Sequence, residues 1–129
     1  MTPLQTLREA MQLARTGRVD DAIARLKECL DGARSERNKR DLALLARNAG
    51  LLCDQAGRLQ ECAEYYKAAL RLDPEDVHIL WALGDVYARA GRGSLSSRYW
   101  KQFEQTAARS KSSDVKELLQ RHRARQKST

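Results

Sequence analysis

The sequence predicts an all-α protein built as a stack of helical hairpins. Three observations predict it. First, a pattern of small and aromatic residues repeats. Gly50, Cys53, Gly57, Cys62, Tyr66 and Ala69 are matched by Gly84, Tyr87, Gly91, Ser96, Trp100 and Phe103, each 34 positions later. A fixed period in the range of 20 to 50 residues marks a repeat architecture. Second, aromatics make up 5% of the 129 residues and proline occurs twice, while Ala, Leu, Arg, Lys, Glu and Gln dominate. That is the composition of a helical chain. Third, apolar residues recur at helical spacing, as in Val19, Ala22, Ile23, Leu26, Cys29 and Leu30.

The first helix opens at Thr2-Pro3-Leu4-Gln5. Thr2 suits the cap, Pro3 the first helical position, and Gln5 the reciprocal arm of a capping box. Leu4, Leu7, Met11 and Ala14 share one face, and Gly17 stops the helix. The second helix covers Val19 to Leu30 and ends at Gly32.

The polar stretch from Ala33 to Asp41 adds about six residues to the first repeat, since Gly17 and Gly57 lie 40 apart. It holds helix formers and no Gly or Pro, so it favours a backward extension of the third helix. With that shift, Ala10, Leu13, Gly17, Ala22, Leu26 and Cys29 align with the second repeat. The third helix runs to about Ala56 and the fourth from about Leu59 to Leu72.

Asp73-Pro74 is expected to cap and start the fifth helix, which ends at Gly91. Arg92-Gly93-Ser94 reads as a turn before a sixth helix from about Leu95 to Ala108. Asp114, with Glu117 three later, opens a seventh whose apolar face is Val115, Leu118, Leu119 and His122. Past Arg123 that helix is expected to fray.

The spacing has a physical reading. Small residues at Ala10, Gly50 and Gly84 let paired helices approach, and Gly17, Gly57 and Gly91 turn the chain between them. Tyr66 and Trp100 are expected to fill the space between a hairpin and its neighbour. Repeats cannot bury their faces alone, so the seventh helix is expected to cap the last one.

The formal charge is +7, and residues 109–129 hold seven cations against two carboxylates. A basic end of this kind is either a solvated tail or an arm for an anionic partner. No apolar run approaches 18 residues, so no membrane span is expected, and the opening residues lack the apolar core of a signal peptide. A cytoplasmic location is the expectation. Cys29, Cys53 and Cys62 are odd in number, widely spaced, and on packing positions, which predicts buried reduced thiols. There is no CxxC, HExxH, P-loop or GxSxG, and His78 and His122 lie apart. No catalysis, metal or cofactor is expected.

Residues 3 to about 109 resemble three tetratricopeptide repeats. Gly50, Gly57, Tyr66, Ala69 and Pro74 carry the likeness in repeat two; Leu83-Gly84, Tyr87, Gly91 and Trp100 carry it in repeat three. Repeat one is recognised mainly by Gly17 and Ala22. The family's aromatic near the repeat start is missing, with Ala46 and Leu80 there and Trp81 one later. The resemblance implies a right-handed superhelical stack of three repeats, about 3–34, 43–76 and 77–109, in one domain over residues 1–126. A capping helix at about 114–125 and a disordered tail at 126–129 complete it.

The resemblance also implies a use. First helices of the repeats line a concave groove that grips another protein. Carried over position by position, the groove takes Leu7, Met11, Leu44, Arg47, Asn48, Leu51, His78, Trp81, Asp85 and Arg89, with Leu4, Arg8, Arg15, Gln55 and Ala82 beside them. Apolar anchors bordered by arginines suit an amphipathic helix or an extended peptide with carboxylates. The implied function is a non-catalytic adaptor or scaffold with a protein partner; self-association stays open.

The family's carboxylate clamp for chaperone C-termini is rejected. Leu7, Met11, Asn48, His78 and Ala82 stand where it wants Lys, Asn, Asn, Lys and Arg. A secretion-type chaperone holding an exported segment is one alternative; its size fits, but such proteins tend to be acidic. A second alternative is nucleic-acid binding through the basic C-terminal helix and the run from Arg34 to Arg40. No aromatic interleaves those runs, which ranks nucleic acid behind a protein partner.

Overall fold

The computed structural model describes residues 2–32 and 39–128. Over these residues the chain is seven helices with no strand: α1 (Pro3–Arg15), α2 (Val19–Gly32), α3 (Lys39–Gln55), α4 (Leu59–Leu72), α5 (Val77–Arg89), α6 (Gly93–Ala108) and α7 (Ser113–Lys127). Consecutive helices pack as three hairpins, α1–α2, α3–α4 and α5–α6, stacked in chain order, with α7 on α6. The fold is an all-α stack of helical repeats.

Each hairpin turns in the same way. Gly17, Gly57 and Gly91 have φ of 85°, 76° and 75°. A side chain is strained at such angles and glycine is not. The arginine after each glycine donates its N–H five residues back, from Arg18 to Leu13, Arg58 to Cys53 and Arg92 to Tyr87, at 2.8–2.9 Å. This is the Schellman closure, which satisfies carbonyls that a helix end leaves without partners.

Close approach inside a hairpin follows from one small residue and one large one. A Cβ added to Gly50 would lie 2.6 Å from the Tyr66 ring, and one added to Gly84 would lie 2.1 Å from Trp100. These aromatics therefore fill the gap within a hairpin, not the gap between neighbours that the sequence suggested. Repeat one has Ala10 and Leu26 at the equivalent positions, both fully buried. The smaller Leu26 leaves room for the methyl of Ala10.

Two core clusters result. The larger runs through the first two hairpins into α5, and includes Leu26, Leu45, Leu52, Cys53, Cys62, Leu83 and Val86. The smaller joins Val77, Leu80, Phe103 and Ala107 to Leu119 of α7. Inter-repeat ion pairs lie along the stack. Arg58 pairs with Asp20, and Arg89 Nη1 lies 2.8 Å from Asp54.

Several helix ends differ from expectation. The Thr2–Gln5 capping box is present. Asp73, however, ends α4, and Asp76 caps α5 by accepting from His78 and Ile79 N–H. A backbone bond from Asp76 to Asp73 at 3.2 Å holds the intervening residues in a turn, so the helix starts later. Gly93 and Ser94 belong to α6.

Ser112, not Asp114, caps α7, accepting from Val115 N–H. Asp114 lies in the first turn, where a carboxylate favours the helix dipole. Helix α7 also continues to Lys127, past the expected fraying point and into the expected tail. Helix α3 begins at Lys39; the rest of the expected backward extension, and residues Arg34 and Arg37 of the basic run, lie outside the described residues.

Candidate functional site: the first-helix face

The predicted groove residues sit on α1, α3 and α5, and none of them is buried. Helices α1 and α3 pack directly on each other, and the Arg89–Asp54 pair joins α5 to α3. The three first helices are thus brought onto connected parts of the stack.

The apolar members divide by packing. Leu7 packs against the larger core cluster and Trp81 against the smaller. Leu4, Met11, Leu44 and Leu51 belong to neither cluster. Leu4 at 44% and Leu51 at 42% are the exposed large hydrophobics among the described residues. Single exposed leucines are ordinary on a small protein; these two stand on helices that pack directly on each other.

The polar members divide as well. Arg47 and His78 are exposed. The Asn48 amide donates to the Leu44 carbonyl at 2.8 Å, so that donor is used within its own helix. Arg89 donates to Asp54 at 2.8 Å and to Asp85 at 3.1 Å. The hydrogen bond it donates to Asp54, and the charge of Asp85, raise its pKa. Asp85 and Arg89 therefore form an inter-repeat strut, whereas Arg47, like the neighbouring Arg8 and Arg15, is exposed outside it.

Around Leu44 and Arg47 the structure adds residues that sequence spacing missed. A cavity of about 460 Å³ lies where α3 meets the α4–α5 junction, lined also by Arg40, Ala69, Leu72, Asp73 and Asp76. Arg40 was visible in the sequence only as part of a charge run. A larger cavity, about 590 Å³, lies between α2, the start of α3 and α4, where Leu30, Leu42, Tyr65 and Leu72 form its apolar wall.

Trp81 is half-buried, and the guanidinium carbon of Arg125 lies 5.6 Å from its ring centroid. This is within cation–π range. Trp100 is also half-buried; its ring centroid lies 5.4 Å from that of His122, with the ring planes inclined at 61°, and its Nε1 is enclosed without an acceptor. Trp100 belongs to neither core cluster; it closes the joint between α5, α6 and α7, against Gly84 and His122.

Burial sets the thiol chemistry. It is the main cause that pushes Cys53 up to about 11 and Cys62 up to about 12. Cys29 is half-buried, and all three are free. No group of three or more potential metal ligands occurs among the described residues. No described helix is long and apolar enough to cross a membrane.

A sequence model of the tetratricopeptide repeat matches residues 4–75. The chain belongs to the tetratricopeptide repeat family. The match covers the first two repeats, and the α5–α6 hairpin supplies the third in the structure. The fold is similar to that of the tetratricopeptide repeat domain of Arabidopsis FLU, with a TM-score of 0.65 and 17% identity over 78% of this chain and 90% of that one. A point mutant of MamA gives a TM-score of 0.50 and 19% identity, covering 82% of this chain and 98% of that chain. Identities this low carry the fold and no partner. No curated protein matches the sequence.

Proposed function

We propose that this tetratricopeptide repeat protein is a non-catalytic adaptor that holds a peptide or amphipathic helix of a protein partner on its first-helix face. One observation carries the reading. Leu4 and Leu51, the exposed large hydrophobics among the described residues, stand on the packed pair α1 and α3, with Met11 and Leu44 outside both core clusters on the same two helices. Hydrophobic anchors spaced along one face are what an amphipathic helix needs from its groove. Exposed Arg47 supplies a fork for a partner carboxylate. Free thiols fit a reducing cytoplasm.

The test is comparative. Partners captured from the native cell are measured against the Leu4→Ser/Leu51→Ser variant and against Glu64→Ala on α4. The expected result is loss of the partner with the first pair only. A partner that survives the double substitution and is lost with Glu64→Ala would move the interface to the second helices.

A further inference from the structure

The charge of this protein is partitioned by its architecture. Residues 1–91 hold 14 cations and 14 carboxylates, whereas residues 92–129 hold 10 cations and 3 carboxylates. The entire net charge thus belongs to α6, α7 and the residues joining them. We propose that α7 is a docking element for the phosphate backbone of double-stranded nucleic acid, through residues other than those of the first-helix face.

The tail is not a loose arm. Leu119 and His122 are buried against α6, with His122 Nε2 3.0 Å from Glu104 and its ring 5.2 Å from Phe103. Arg125 is seated on Trp81. Anchored on that side, α7 presents Lys116, Arg123 and Lys127 as a stripe, since residues seven and four apart share a helix face. The stripe spans about 16 Å at 1.5 Å per residue. All three side chains are exposed, and no carboxylate lies within ion-pair distance of them among the described residues. Arg121, by contrast, is held by Glu117 at 2.6 Å.

The composition of the stripe selects the partner. A membrane-surface helix needs an exposed apolar face. The apolar side chains of α7 are spent on docking, with Val115 and Leu118 half-buried in the smaller cluster. A protein interface needs aromatic or aliphatic anchors at its centre, and the stripe has none. Single-strand binders stack bases on aromatics, and no aromatic follows Phe103. Duplex nucleic acid requires only fixed cations against about one phosphate charge per 1.7 Å of axis. A preordered helix meets it without losing the entropy of ordering a tail. Binding of this kind reads no sequence.

The experiment is fluorescence anisotropy of the full chain with a labelled DNA duplex of about 20 base pairs and arbitrary sequence, between about 50 and 200 mM salt. Three variants in one chain, Lys116→Gln, Arg123→Gln and Lys127→Gln, should make the slope of log K against log salt shallower by about 2.7. The control chain carries Arg18→Gln, Lys27→Gln and Arg71→Gln, removing equal charge from exposed sites on the repeat body. It should bind within about twofold of the parent. Equal loss in both chains would overturn the proposal, because net charge alone would then explain binding. So would absence of duplex binding by the parent. Equal competition by phosphatidylserine vesicles or polyglutamate, matched in charge, would also overturn it and reassign the face to a membrane or an acidic protein. Retention of the protein partner by the stripe variant is expected, so this proposal and the first-helix reading fail separately.

Discussion

Trp100 occupies the place where Gly84 lacks a side chain. A Cβ on Gly84 would lie 2.1 Å from Trp100 Cδ1 and 2.2 Å from Nε1, closer than real Cβ contacts allow. Replacing a helical Gly by Ala gains about 1 kcal/mol of propensity. Overpacking against a ring costs about 1–3 kcal/mol. The clash therefore wins, and Gly84→Ala should lower the denaturant midpoint. Repeat one shows the remedy, with Ala10 facing the position of Leu26. In a Trp100→Leu background, Gly84→Ala should cost less than in the parent, a coupling measurable by a double-mutant cycle.

Trp81 and Trp100 should separate binding from folding. Trp100→Ala empties the space against Gly84 and His122 and should cost about 3 kcal/mol in chemical denaturation. Trp81→Ala should cost less stability, since half-buried Trp81 sits at the edge of the smaller cluster. If the first-helix face is the interface, it should weaken the partner by about 2 kcal/mol in titration calorimetry. Equal destabilisation by both changes would assign Trp81 to the core.

Arg89 should act as a strut. Arg89→Gln removes contacts to Asp54 and Asp85 and leaves both half-buried carboxylates without it. The side chain is 42% exposed, so the expected loss is about 0.5–1 kcal/mol, smaller at high salt. Denaturation at two salt concentrations reads this directly. Unchanged stability at low salt would mean that the repeats hold their stacking without the pair.

The thiols should give stability a high-pH limit. Cys53 is raised to about 11 and Cys62 to about 12, mainly by burial. Their folded pKa values exceed the unfolded ones, so this contribution is fully present below about pH 8.5. It should be lost as pH rises toward 11–12, because the unfolded thiols ionise first. Denaturation midpoints from pH 8 upward test the sign. At neutral pH a thiol reagent should modify half-buried Cys29 faster than Cys53 or Cys62. Equal fast labelling would contradict their burial.

The sequence by itself determined the repeat. Gly17, Gly57 and Gly91 were legible as turns because they recur at matching places in the repeats and glycine takes positive φ without strain, as their φ values bear out. The places of Gly50, Tyr66, Gly84 and Trp100 in the repeat were legible, but their pairing within one hairpin was not, since the sequence put the two aromatics between neighbouring hairpins. Helix-forming propensity and period act over such distances, so seven helices and the family's fold were legible. The cap of α5 was not, because Asp73 and Asp76 both offer a carboxylate and only the turn between them decides.

Tertiary structure decided what each surface side chain is free to do. Arg89 reads as a groove cation until Asp54, 35 positions away, engages it. The basic end reads as a fraying tail until Leu119 and His122 lock α7 onto α6 and Arg125 meets Trp81. Such pairings depend on how hairpins stack, and no local spacing encodes them. The same stacking leaves Leu4 and Leu51 outside the core, because α1 and α3 bury other faces when they pack.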